Sequence, residues 1–234
     1  MTVLTVYPNA DPETTSVDGY AKQVTAHDAG LTWANMIIAP GTEANSSFDN
    51  IYILIKGGSV NNTWMQLGRG FILFDTSALT ERAYIVSATV SLYGYAKLDQ
   101  LSITPNLNIY SSLPNSDTDL IAGDFDTLGS IPFCDTPITY AGWSTTGYNA
   151  FALNADGLAA ISKTGITKFG IRNANYDVAG VVPPSWANQQ TSYVYCRAAD
   201  KGSAYRPKLT ITYEILPAIP PVILLSRRRK LLWS

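Results

Sequence analysis

The chain has 234 residues, and only 15% of them are charged, against roughly 25% in an ordinary soluble domain; 46% are apolar. The missing charge is replaced by 23 Thr, 19 Ser, 14 Asn and 14 Tyr, a vocabulary of strands and turns that excludes a long helical protein. A balance of 16 basic against 18 acidic residues offers no general field for nucleic-acid phosphates, and the single histidine excludes any site built on two imidazoles.

Strand patterns recur along the chain. Asn50-Ile-Tyr-Ile-Leu-Ile-Lys56 is a β-rich run closed by Gly57-Gly58, and Gly70-Phe-Ile-Leu-Phe74 is another that ends at Asp75-Thr-Ser77. In Ile85-Val-Ser-Ala-Thr-Val-Ser-Leu-Tyr93, Val86, Ala88, Val90 and Leu92 alternate with Ile85, Ser87, Thr89 and Ser91, as in a half-buried strand. Leu107–Tyr110, Ser192–Cys196 and Lys208–Tyr213 repeat the period of two. Two segments offer a helical turn: Asp75–Thr80, capped by Asp75 or Thr76, and Asn154–Ser162, capped by Asn154, with Leu158, Ala159 and Ile161 packing on the sheets. Many short strands joined by polar loops predict an all-β antiparallel sandwich of jelly-roll type with one or two short helical turns. A single domain over residues 1–214 is expected.

After Tyr213 the material changes. Residues 1–214 hold 12 bases and all 18 acids, net -6, whereas the last 20 residues carry Arg227, Arg228, Arg229 and Lys230, net +4. Leu216-Pro-Ala-Ile-Pro-Pro221 reads as an extended linker, followed by Val222-Ile-Leu-Leu225 and the basic cluster. Val222, Ile223, Leu224 and Leu225 could add as a strand to another copy while Arg227, Arg228 and Arg229 meet its acidic body, so self-association or assembly with other surface or virion subunits is one expectation. A short membrane-surface stop and a non-native extension are the other readings. Residues 1–7 carry no basic start and show no secretory signal, so either the protein is not exported by that route or a leader has been removed, and no apolar run approaches the roughly 20 residues of a transmembrane span. Cys134 and Cys196 read as free thiols, half-buried on strands.

Catalytic signals are sparse. His27, in Thr25-Ala-His-Asp28, has no Gly-x-Ser-x-Gly partner, so no triad is expected. Asp117, Asp119, Asp124, Asp126 and Asp135 could supply the carboxylate pair of a polysaccharide lyase or hydrolase, but the same residues build Asx-rich turns, and loop solvation is the preferred reading. Asn115, Asp117 and Asp119 also copy the start of a calcium loop, yet Leu120 stands where glycine is needed; no cofactor is assigned, with a structural Ca²⁺ left open. Trp64, Trp143 and Trp186 lie in turn-like contexts. Trp143 is expected to lid the core, while Trp64 and Trp186 are the candidate ligand-binding residues, projecting from one face to stack on sugar. Asn45-Ser-Ser47 and Asn61-Asn-Thr63 fit the glycosylation pattern.

Three blocks carry a family resemblance. Arg69-Gly-Phe-Ile-Leu-Phe-Asp-Thr-Ser-Ala-Leu79, the run Ile85–Tyr93, and Tyr205-Arg-Pro-Lys-Leu-Thr-Ile-Thr-Tyr213 resemble the corresponding blocks of DNRLRE-type domains, with Gly70 and Phe71 replacing the common hydroxyl and aliphatic residues. Such domains are β-sandwich modules of prokaryotic surface proteins and phage structural proteins, and related members are classed as carbohydrate-binding modules. The resemblance implies core roles for Phe71, Leu73 and Leu79, a turn capped by Asp75, and Pro207 setting the entry to the last strand. It implies a non-catalytic structural or adhesive module at a virion or extracellular surface.

Overall fold

A computed structural model describes residues 1–25 and 30–217 of the chain. Its strands are β1 (Thr2–Val6), β2 (Asp18–Val24), β3 (Glu43–Asn45), β4 (Asn50–Gly57), β5 (Trp64–Asp75), β6 (Ala83–Asp99), β7 (Leu107–Ser111), β8 (Tyr148–Ala152), β9 (Ile166–Asn173), β10 (Thr191–Arg197) and β11 (Lys208–Ile215). Two short helices, α1 (Trp33–Ile38) and α2 (Ala155–Ala159), join them. The fold is an all-β antiparallel sandwich, in the hydrogen-bonded order β1-β11-β6-β10-β4-β5-β2-β3, with β9 beside β5, β7 beside β9 and β8 beside β6.

The long strand β6 explains how one sheet becomes two layers. Its first part, Ala83–Ser91, pairs with β11, and Thr89–Tyr93 pairs with β8 on the other edge. Beyond Tyr93 it turns to β10, with Gly94 opposite Cys196 and Ala96 opposite Tyr195, so Tyr95 is the extra residue of a bulge. A second bulge sits near its start, where Thr212 faces Ser87 but Tyr213 faces Ile85. That bulge corrects the expected alternation: Ile85 packs on the core and Val86 is exposed, while Ala88, Val90 and Leu92 are buried as predicted.

Strand β5 is buried on both faces along nearly its whole length. Ile72 and Phe74 join the core between the layers with Ile53, Val90, Phe169 and Leu209. Leu67, Phe71 and Leu73 face a second core closed by Trp33 and Met36 of α1, Phe125 and Tyr176. Helix α1 is absent from the expected elements, although Thr32 caps it through the Asn35 amide and Pro40 follows its end; six residues are too few to display a helical period. The Asn154 cap of α2 is as predicted, accepting from the Gly157 amide, but Ala159 is exposed, and only Ile161 and part of Leu158 reach the core. Asp75 accepts from the Ser77 amide in a turn, Leu79 is buried, and β11 begins directly after Pro207. The folded body runs slightly past residue 214, since Ile215 pairs with Ala83 and the Leu216 amide donates to the Arg82 carbonyl.

Three buried charges lock the loops beside β5. Asp177 receives two hydrogen bonds from Arg69, at 3.0 and 2.6 Å, and two from Arg172, at 2.8 and 2.7 Å. Arg69 also donates to the carbonyls of Phe125 and Ile37, and Arg172 to that of Gly129. Two strands thereby hold the end of α1, the 122–127 turn and the 174–178 turn. Burial pushes the Asp177 carboxyl up, but the two guanidiniums outweigh it and hold its pKa below the usual carboxylate value.

Candidate ligand-binding face

Strand β10 alternates cleanly. Ser192, Val194 and Cys196 are buried, whereas Tyr193, Tyr195 and Arg197 occupy its other face half-exposed. Register sets Tyr195 opposite Tyr52 of β4 and opposite Ala96 of β6, a residue too small to cover the ring. The result is a row of rings: Tyr193 stacks on Tyr195 at 4.0 Å between centroids, Tyr195 lies tilted by 32° against Tyr52 at 4.3 Å, and Tyr52 stacks on the buried Tyr20 of β2 at 4.7 Å. Phe48, 42% exposed, meets Tyr52 edge-on at 5.4 Å.

Charged and polar groups border the row. The bulge of β6 carries Tyr95 outward to 45% exposure, and the Arg197 guanidinium lies 3.5 Å from its ring centroid. Arg197 also donates to the Asn50 amide oxygen at 2.9 Å. At the opposite end Lys22 sits 5.9 Å from the Tyr20 ring and pairs with Glu43 at 2.8 Å. Burial raises the Tyr52 and Tyr195 phenols above their ordinary pKa, and neighbouring tyrosines add to it, so both remain neutral hydrogen-bond donors at pH 7. Flat apolar plates edged by hydroxyl, guanidinium and carboxylate groups suit a ligand with alternating C–H faces and hydroxyls.

The two candidate tryptophans do not form such a plate. Trp64 is a correction: it begins β5, is only 1% exposed, and packs edge-on against Trp33 at 5.2 Å, because β5 is buried on both sides from its first residue. Trp186 is half-buried against the second core and spends its indole N–H on the Thr63 carbonyl at 2.8 Å. Trp143 is buried over the core beside Phe151, as expected.

The loop acids are tied into turns. Asp124 is buried and accepts from the backbone amides of Asn115 and Ile121, both at 2.8 Å. Asp119 accepts from Ser46 and its neighbour's amide, Asp117 pairs with Lys168 at 2.6 Å, and Asp135 accepts from Asn154. Asp126 approaches Arg69 at 4.0 Å. A shallow pocket of about 240 Å³ between α2 and β6 is lined by Tyr84, Ile85, Leu158, Ala159, Ile161 and Lys163, without a carboxylate. Both cysteines are free thiols; they are fully buried, and Cys134 lies in a loop, not on a strand. Burial pushes the Cys134 thiol up to about 12 and that of Cys196 higher still. His27 and the tail residues Val222, Ile223, Leu224, Leu225, Arg227, Arg228 and Arg229 lie outside the described residues.

The alternation that places Tyr193 and Tyr195 on one face is visible in the sequence, but their partners Tyr52 and Tyr20 are joined to them only by strand register. No described helix is long and apolar enough to cross a membrane. The chain matches no protein-family model, and no curated protein shows significant similarity to it.

Proposed function

We propose that this chain is a non-catalytic adhesive module of a virion or cell surface that binds a surface glycan on the face formed by Tyr52, Tyr193 and Tyr195. The row of three half-buried rings, Tyr52, Tyr195 and Tyr193, backed by the buried Tyr20, carries this reading, because such a row is rigid before binding and presents phenols along its edge. The resemblance of residues 69–79, 85–93 and 205–213 to DNRLRE-type blocks supports it, as does the engagement of the loop acids in turn hydrogen bonds in place of a cleft. A glycan array probed with the wild type and with Tyr193→Ala/Tyr195→Ala tests it. Loss of two stacking rings is expected to weaken binding by on the order of 10- to 100-fold, while Trp186→Ala binds as wild type. Wild-type binding by a folded double variant would place the ligand elsewhere. Assembly through residues 222–229 is a second reading, favoured by the opposite charges of body and tail.

A further inference from the structure

We propose that Tyr7, Tyr93, Tyr148, Tyr205, Arg206 and Lys208 form a second binding site, one for a phosphate monoester carried on a sugar. The site lies on the outer face of the layer made by β1, β11, β6 and β8. Alternation sends Leu92, Asn149 and Leu209 inward, so their neighbours Tyr93, Tyr148 and Lys208 point outward. Register places Tyr93 opposite Tyr148, and it places Lys208 opposite Ser91, which in turn faces Ala150. Those two small residues leave room for the Lys208 chain to lie across the Tyr148 ring, its ammonium 4.1 Å from the centroid. Tyr205 and Arg206 arrive from the turn before β11, and Tyr7 from just past β1.

These side chains meet as they stand. Tyr93 packs edge-on against Tyr148 at 5.2 Å and against Tyr205 at 4.9 Å, and the Arg206 guanidinium lies 4.9 Å from the Tyr7 centroid. The Tyr148 hydroxyl, 3.1 Å from the carbonyls of Ala204 and Arg206, donates to that turn, and the Tyr93 hydroxyl donates to the Thr146 carbonyl at 2.8 Å. One ring therefore ties the group together. Burial raises the Tyr148 pKa and Tyr7 and Tyr93 add to it, while Arg206 is close enough to oppose them. Tyr7 and Tyr205 are 39% and 37% exposed, so rings as well as charges face solvent.

What points to a ligand is that the two cations lack an anion. Lys22, Arg69, Lys168, Arg172 and Lys201 each hold a carboxylate, and Arg82, Lys97 and Arg197 spend donors on carbonyl or amide oxygens. Among the described residues, Arg206 and Lys208 pair with no carboxylate and give no side-chain hydrogen bond, and Arg206 Nε is buried without a partner. They flank the buried Pro207, so about 7 Å of extended chain separates two like charges. Such charges repel, in a body where acids outnumber bases 18 to 12. A single group that neutralises both carries two negative charges. A phosphate monoester does so at neutral pH, its second pKa being about 6, whereas a carboxylate or a sulfate ester carries one. The guanidinium forks onto phosphate oxygens and the ammonium adds a point charge. The exposed rings of Tyr7 and Tyr205 suit the C–H face of a sugar. The site shares no residue with the row of Tyr52, Tyr193 and Tyr195 and does not depend on what that row binds.

Calorimetric titration of the full chain with glucose 6-phosphate, at low ionic strength and about pH 7.5, tests the site. One equivalent is expected to bind, with glucuronate and inorganic phosphate each roughly 10-fold weaker or more and glucose weaker still. At about pH 5 the phosphate is mostly the monoanion, and no carboxylate or imidazole stands among the six residues, so binding should weaken by on the order of 10-fold. Arg206→Gln and Lys208→Gln, at half-exposed positions outside any described ion pair, should keep the wild-type Tm and each bind roughly 10-fold more weakly. The Tyr193→Ala/Tyr195→Ala variant should bind the sugar phosphate as wild type. Absence of heat at tens of millimolar glucose 6-phosphate would overturn the proposal, as would wild-type affinity in a folded Arg206→Gln/Lys208→Gln variant or loss of binding in Tyr193→Ala/Tyr195→Ala. Equal affinity for glucuronate, or affinity unchanged in acid, would overturn the assignment of a dianion. Equal affinity for inorganic phosphate would overturn that of a sugar.

Discussion

Arg69 sits in the middle of an otherwise apolar strand, where a charge is costly, and its cost is met because Asp177 accepts from it in bidentate fashion while two loop carbonyls take its remaining donors. Arg172 completes the group from the adjacent strand. Removing the shared anion strands two buried guanidiniums, so Asp177→Ala is expected to lose about 3 to 5 kcal/mol of stability in urea unfolding. The pH dependence has a definite sign. The folded pKa of Asp177 lies below its unfolded value of about 3.9, so its stabilisation is present above that value and is lost as pH falls through the folded pKa. Wild type should therefore lose stability below about pH 4 faster than Asp177→Ala does. The sequence shows Arg69, Arg172 and Asp177 only as scattered charges, because their meeting depends on β5 pairing with β9.

At the scale of elements, β6 is where local pattern and tertiary structure part. Its apolar alternation predicts a strand over Ile85–Tyr93, and a strand is there, but it is nearly twice that length and changes layer at Gly94. Glycine is required at that point by close approach: a Cβ would lie far inside contact distance of the Ser144 carbonyl and 2.8 Å from the Trp143 indole nitrogen. Gly94→Ala should displace the 143–147 loop and cost about 1 to 3 kcal/mol by chemical denaturation. An unchanged midpoint would mean that the loop yields freely. The two bulges shift the phase of β6, since each inserts one residue: one moves Val86 out of the core and the other lifts Tyr95 beside Arg197. Trp64 departs from its expected exposure for a related reason: Asn61-Asn-Thr63 is turn chemistry, and only the tertiary structure shows that the strand starts at the next residue, beneath α1.

For the whole molecule, the net charge of -2 divides into a body of -6 and a tail of +4. If the tail joins copies, deleting residues 218–234 leaves β11 and its pairing with β6 intact and should reduce the mass in light scattering to that of one chain. An unchanged mass would separate the tail from assembly. The body that remains is one sandwich with a second core beneath α1, so its folding should not depend on those residues.

Composition and alternation alone determined the all-β class, the positions of most strands and the Asn154 cap, since each follows from residues adjacent in the chain or at a fixed short period. Only the tertiary structure decided which tyrosines share a face, which cations stand without an acid, and which tryptophans are buried. Those facts depend on register between strands that are distant in sequence, as with Tyr195 and Tyr52 or Tyr93 and Tyr148, and a local pattern carries no record of which partner a strand will meet.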